Sequence, residues 1–145
     1  MYTICKTFKF EAAHRLTEAY SKVCVECIHG HSYKAQVKVS VPCLNDDCMV
    51  LDFGELGSLI GPVVREMDHA LILNSNTDRE ELSFLRLCNK KIILTSSNPT
   101  AEFLAKHICL SISPILQKRM SVRPLRIVVR VYETETGWAE YEEDA

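Results

Sequence analysis

The sequence predicts an α+β fold built on an antiparallel sheet, and three observations carry the prediction. Residues 31–41 alternate, with Tyr33, Ala35, Val37, Val39 and Val41 facing one way and Lys34, Gln36, Lys38 and Ser40 the other, the period of a half-buried strand. Leu125, Ile127, Val129 and Val131 repeat that alternation against Arg126, Arg130 and Tyr132. Between these stretches, Leu56, Leu59, Ile60, Val63, Val64 and Met67 fall at helical spacing. A strand with one polar face belongs to an antiparallel sheet covered on one side, not to a parallel sheet buried on both.

Taken in order, residues 3–12 are rich in β-formers and give the first strand, and 31–41 the second. Pro42 to Asp47 reads as a turn, and Met49 to Phe53 as a short apolar stretch leading into the first main helix, which Gly61-Pro62 should kink. Arg79 to Asn89 predicts a second, shorter helix, followed by a small strand at Ile92–Thr95. Asn98-Pro99-Thr100 opens the other main helix, running towards Gln117, with Pro99 fixing its entry and Pro114 disturbing its last turns. After the 125–131 strand, Glu135-Thr136-Gly137 makes a tight turn into a last short strand around Trp138. In outline the order is strand, strand, helix, helix, strand, strand, with no internal repeat, linker or low-complexity segment.

At 145 residues and 47% hydrophobic content, residues 1–145 suit one domain with a real core. No tract of about 18 apolar residues occurs and no basic-then-apolar leader precedes the first strand, so the expectation is a cytoplasmic protein without a membrane span. Seven cysteines, an odd number at scattered positions, argue for reduced thiols, most of them expected as small core residues. A formal net charge of −2 with intermixed signs offers no nucleic-acid footprint.

His29-Gly30-His31 stands at the mouth of the second strand, and His14 closes the apolar run Phe8, Phe10, Ala12. Residues two apart in a strand share a face, so His29 and His31 can grip one ion, while His14 must come from a neighbouring strand. Three imidazoles without a fourth protein ligand are the composition of a catalytic zinc site, which keeps one coordination position open. Two other readings use the same residues. The histidines can be ordinary packed side chains, or Cys24, Cys27, His29 and His31 can form a closed structural site that leaves His14 without a role.

Six motifs occur in one order along the chain: Phe10-Glu11-Ala12-Ala13-His14-Arg15-Leu16, His29-Gly30-His31-Ser32-Tyr33, Leu51-Asp52-Phe53, Asp68-His69, Asn98-Pro99-Thr100-Ala101-Glu102 and Val131-Tyr132-Glu133-Thr134. Together they resemble the 6-pyruvoyltetrahydropterin synthase and 6-carboxytetrahydropterin synthase family. The resemblance implies the tunnelling fold, in which two-helix, four-strand subunits form β-barrels as trimers or stacked hexamers with active sites between subunits. It implies 7,8-dihydroneopterin triphosphate as substrate and Zn2+ on His14, His29 and His31. By the same resemblance Glu133 anchors the pterin, Asp68-His69 is a proton-handling dyad, Thr100 and Glu102 lie near the pocket, and Phe53 packs on the pterin ring. Without it, Glu133 is a surface residue at a strand end, Asp-His a helix-end accident, Thr100 a plain helix start and Phe53 a core residue.

The catalytic base is where the sequence departs from those relatives. The cysteine that typical carboxytetrahydropterin synthases place three intervening residues before HGH falls here on Val25. Cys24 lies one residue earlier, while Glu26-Cys27-Ile28-His29 matches the ExxHGH pattern of a branch that uses glutamate and shifts the product to 6-hydroxymethyldihydropterin for folate synthesis. A thiolate near zinc and imidazoles is a competent base, and a carboxylate is weaker unless burial raises its pKa. Cys24 is therefore the first choice, Glu26 the rival and Cys27 the third. The resulting expectation is a zinc-dependent lyase releasing 6-carboxytetrahydropterin and acetaldehyde for 7-deazaguanine (queuosine) synthesis. The alternatives are the folate product, the pyruvoyl product, or a non-catalytic zinc- or pterin-binding module. The segment Ser75–Ser97 is longer than in the shortest relatives, and Arg79, Arg86, Lys90, Lys91, Lys34, Lys38 and Arg15 are all available for a triphosphate.

Overall fold

In the computed structural model, which describes residues Met1–Ala145, the elements run β1 (Tyr2–Arg15), α1 (Lys22–Glu26), β2 (His29–Val41), α2 (Phe53–Arg65), β3 (Ala70–Asn74), α3 (Arg79–Cys88), β4 (Ile92–Thr95), α4 (Ala101–Arg119), β5 (Arg126–Tyr132) and β6 (Trp138–Asp144). β1 and β2 pair antiparallel along their whole length, from Tyr2 opposite Val41 to His14 opposite His29. β5 adds antiparallel to β2, and β6 to β5.

The α+β class expected from the alternation holds, but the sheet has six strands in the order β4-β3-β1-β2-β5-β6, not four. It is also mixed, because β3 runs parallel to β1 and β4 parallel to β3. β3 escapes a reading based on alternation because all five of its residues are buried, so Ala70-Leu71-Ile72-Leu73 is an unbroken apolar run without a period. α1 spans only five residues and buries none, too short for any periodic signal.

One face of the sheet carries the core. The even positions of β1 and the odd positions of β2 point inward, so Phe10 stacks on its cross-strand partner Tyr33 with ring centroids 4.9 Å apart. A cluster of 26 buried residues joins this face to α2 and α4, including Leu56, Ile60, Leu104, Ile108, Ile112 and Leu116. Asp52 caps α2 by accepting from the amides of Gly54 and Glu55, and Thr100 caps α4 by accepting from Phe103. Pro62 and Pro114 each remove one helical hydrogen bond without ending their helices. No helix is long and apolar enough to cross a membrane.

The cysteines depart from expectation. All seven are unpaired, as a reduced set should be, but only Cys109 is buried, Cys24 is half-buried, and Cys5, Cys27, Cys43, Cys48 and Cys88 are exposed. Cys5 sits on the polar face of β1 opposite Lys38, and most of the others lie in loops or at helix ends, where no core reaches them.

Candidate metal centre and substrate site

The pairing of β1 with β2 sets His14 directly opposite His29, with His31 on the same face of β2 and two residues on. One ligand atom from each of His14, His29 and His31 lies within 4.8 Å of those of the other two. Cys24 and Cys27 are not part of that group, so the closed four-ligand alternative is not assembled.

Second partners fix which nitrogen His14 and His29 present. His14 Nδ1 lies 2.8 Å from the carbonyl of Pro99, and His29 Nδ1 lies 3.0 Å from the carbonyl of Cys27. A carbonyl only accepts, so both Nδ1 atoms carry the hydrogen and both Nε2 atoms present lone pairs. Those two Nε2 atoms face each other at 3.1 Å, where neither can donate to the other. His31 Nε2 is buried and has no hydrogen-bond partner. Two lone pairs and an unpartnered third ring nitrogen converging on one point call for a cation between them. A tetrahedral zinc with Zn–N bonds of about 2.0–2.1 Å separates two of its nitrogens by about 3.3 Å, close to the spacing of the His14 and His29 pair. The donor set therefore fits zinc.

Burial holds His14 below its ordinary value of 6.5, against the opposing pull of the Pro99 hydrogen bond and the Glu133 carboxylate. Burial lowers His31 as well, again opposed by Glu133. Both rings are thereby kept neutral, the form that binds a metal. Glu133, just past the end of β5, brings Oε1 to 3.5 Å from His14 Nε2 and 3.9 Å from His31 Nε2. Its amide donates to Gly137, closing the turn into β6, and with Lys9, Lys34 and Thr134 it lines a polar cavity of about 480 Å³.

Asp68 and His69 lie in the turn between α2 and β3, clasped to β1: Asp68 Oδ1 accepts from the Glu11 amide at 2.8 Å, and the His69 amide donates to the Glu11 carbonyl at 2.6 Å. His69 adopts a left-handed φ of 58°, a conformation a histidine takes at a cost that these clasps offset. Its Nδ1 sits 2.9 Å from Asp68 Oδ2, and its side chain, 79% exposed, lines with His31 a cavity of about 560 Å³. The Glu11 amide, then His69, hold the Asp68 carboxyl below the usual carboxylate range.

The other candidates are spread more widely. Cys24 lies on α1, anchored where its carbonyl accepts from the Leu16 amide at 2.9 Å, and Glu26 ends the same helix, exposed. Thr100 uses its hydroxyl as the α4 cap, and neither it nor Glu102 lines the cavities of His69 or Glu133. Phe53, half-exposed, accepts at its carbonyl from Lys6 at 2.8 Å and lines a cavity with Tyr2 and Ile4, at the opposite end of β1 from His14. Eight residues of strand separate Lys6 from His14, roughly 26 Å at 3.3 Å per residue, so a single chain does not bring Phe53 to the histidines. Among the basic residues, Arg15 is taken by Glu81, Lys38 by Glu140, and Lys91 by the carbonyls of Arg65 and Asp68. Lys90 lines the larger cavity and makes no ion pair.

The profile of the 6-pyruvoyl tetrahydropterin synthase family matches residues 3–144. The chain belongs to this family. The 6-carboxy-5,6,7,8-tetrahydropterin synthase of Haemophilus influenzae is 32% identical over 149 aligned positions, covering 99% of this chain and all of that one. Among solved structures, an uncharacterised protein of Wolinella succinogenes superposes with a TM-score of 0.79 at 18% identity, over 99% of this chain and 98% of that one. The 6-pyruvoyltetrahydropterin synthase of Plasmodium vivax, solved with a catalytic glutamate replaced by alanine, gives 0.69 at 17% identity over all of both chains. These structures share the fold, and the synthase architecture confirms the tunnelling-fold subunit expected from the motifs.

The Pro99 and Cys27 carbonyls that set the ring tautomers were outside the reach of sequence reasoning, since every residue carries a carbonyl. The one available signal was the position of Pro99 within Asn98-Pro99-Thr100, which reads as a helix start and not as a partner of His14.

Proposed function

We propose that this chain is a zinc-dependent lyase that converts 7,8-dihydroneopterin triphosphate and water to 6-carboxy-5,6,7,8-tetrahydropterin with release of acetaldehyde and triphosphate, in the cytoplasmic supply of 7-deazaguanine (queuosine) precursors. The observation that carries the reading is the set of three converging imidazole nitrogens on His14, His29 and His31, joined to full-length likeness to carboxytetrahydropterin synthases. Bound by these nitrogens, zinc would supply a Lewis acid for the side-chain oxygens of the substrate.

The protein's own residues divide the remaining tasks. Glu133 accepts from the 2-amino group and ring N–H of the pterin, a forked pair of charge-assisted hydrogen bonds. Cys24 takes the carbon-bound proton, and the carboxylate of Asp68 orients and tunes His69, which moves protons at the substrate side chain. Thr100 and Glu102 act one step removed, by holding the start of α4 from which the Pro99 carbonyl reaches His14. Phe53 serves the pterin of a neighbouring subunit in a trimer or hexamer, a reading supported by its distance from the histidines of its own chain and by the exposure of His69.

A second reading places the base at Glu26 and the product at 6-hydroxymethyldihydropterin, in folate supply. It is favoured by the Glu26-Cys27-Ile28-His29 spacing and by the catalytic glutamate of the Plasmodium vivax protein. Reduced, zinc-loaded protein incubated with 7,8-dihydroneopterin triphosphate should give a 6-carboxy pterin and acetaldehyde by mass spectrometry. A 6-hydroxymethyl product transfers the base to Glu26, and no turnover by metal-replete protein leaves only a zinc- or pterin-binding module.

A further inference from the structure

We infer that Asn98 is a positioning residue for the metal centre, acting through the Pro99 carbonyl on the tautomer and orientation of His14. The inference rests on the metal reading of the histidine cluster.

His14 is the last residue of β1 to face the core, and residues 16–20, just beyond the strand, form neither strand nor helix. The segment before α4 is equally irregular, yet it must hold one carbonyl at hydrogen-bond distance from His14 Nδ1. Asn98 ties the two irregular segments together with one side chain. Its Oδ1 accepts from both the amide and the hydroxyl of Thr17 at 2.8 Å, and its Nδ2 donates to the Glu18 carbonyl at 3.2 Å. Its own carbonyl accepts from the Thr100 amide at 2.9 Å, which fixes the turn that aims Pro99.

The chemistry explains the residue type. Gripping this loop takes an acceptor and a donor at the end of one short side chain, which a carboxamide has and a carboxylate lacks. Proline at 99 has no amide hydrogen, so its carbonyl is the only backbone hydrogen-bonding group it offers, and that group goes to the metal-site histidine. On the other side of His14, Arg15 is held by a two-pronged pair with Glu81. His14 is thus pinned from two sides, and Asn98 is the pin that also sets its ring. Outer partners of metal-binding histidines are worth about 10–100-fold in affinity.

The test compares full-length wild type, Asn98→Ala, Asn98→Asp and Ile112→Val, the last a buried change in α4 that lowers stability away from the site. Zinc affinity is measured by competition with a chromophoric chelator, and the tautomer of His14 by nitrogen-15 NMR of the metal-free protein. Asn98→Ala should weaken zinc about 10–100-fold and replace the single Nδ1–H tautomer of His14 by a mixture. Asn98→Asp, which keeps the acceptor and loses the donor, should fall between it and wild type, and Ile112→Val should match wild type in both readouts. Unchanged affinity and tautomer in Asn98→Ala, or an equal fall in Ile112→Val, overturns the inference. If wild type itself binds no zinc, the metal reading fails, while the tautomer of His14 still decides whether Asn98 sets the ring.

Discussion

His14 Nε2 and His29 Nε2 face each other at 3.1 Å with their hydrogens committed elsewhere, to the carbonyls of Pro99 and Cys27. Two lone pairs in that arrangement repel until a cation enters. Removing one of them should therefore empty the site: in equilibrium dialysis against zinc, wild type should retain one ion per chain. His14→Ala should bind more weakly by a larger factor than the roughly 10–100-fold that loss of an outer partner costs. Cys27→Ser should keep the ion, because the Cys27 sulfur is not among the converging ligands. Loss of zinc from Cys27→Ser with retention in His14→Ala would restore the closed four-ligand site.

The same burial makes the metal-free protein sensitive to acid. His14 and His31 are held below 6.5 when folded, chiefly by desolvation, so below about pH 6.5 the unfolded chain takes up protons that the folded one refuses. The stability from keeping both rings neutral is complete above that pH and is lost as pH falls through the lowered folded values. Glu133 raises both rings, so Glu133→Gln should lower them further and deepen the loss. Melting of metal-free protein at pH 7.5 and 5.5 should show a fall in Tm for wild type and a larger fall for Glu133→Gln. Equal Tm values at the two pH values for wild type would remove burial as the controlling influence.

The residues that were legible in advance share one property: their role is announced by type and spacing. HxH on a strand and a third histidine ending another strand mark the three imidazoles that converge and could hold a metal, and the alternation of β2 marks the sheet face that presents them. What stayed hidden depends on main-chain groups or on uniform burial. β3 has no polar face to mark its period, and the carbonyls that set the imidazole tautomers look alike in every residue. The exposed cysteines depart from expectation because cysteine is commonly a core residue, although the parity that Cys5 shares with Thr3, Thr7 and Lys9 puts it on the polar face of its strand.

Which residue takes the proton separates the two proposed reactions. Cys24→Ala should cut kcat by about 100-fold or more, as removal of a positioned base does, with zinc content unchanged. Glu26→Gln should retain most turnover and the 6-carboxy product. Steady-state rates with product identification decide it: full activity in Cys24→Ala together with an inactive Glu26→Gln would assign the base to the carboxylate.

The layer beneath the site should behave as a packed interior. Ile108 on α4 is fully buried within the cluster that joins the helices to the sheet, so Ile108→Ala removes its packing and leaves a cavity. Urea denaturation of the metal-free protein should show a loss of about 2–5 kcal/mol with the slope of the transition unchanged. A loss below about 1 kcal/mol would mean that α4 is loosely seated, and with it the Pro99 carbonyl that His14 depends on.

The distribution of site residues along β1 predicts an obligate assembly. β3 pairs with Ala12 to Arg15 of β1 and the Asp68-His69 turn holds Glu11, so the rest of that strand, from Tyr2 to Phe10, has β2 on one side and an open edge on the other, and β6 ends the sheet with a second open edge. Unpaired edges of that length favour pairing with another copy. In the proposed trimer or hexamer, such pairing would carry Phe53, at the far end of β1, to the histidines of a neighbour. Light scattering should therefore give a trimer or hexamer, and specific activity should fall on dilution below the assembly constant. Phe53→Ala should raise KM by about 2–12-fold, the equivalent of 0.5–1.5 kcal/mol of aromatic stacking, without loss of zinc. A stable monomer with full activity would confine the site to one chain and leave Phe53 with no part in it.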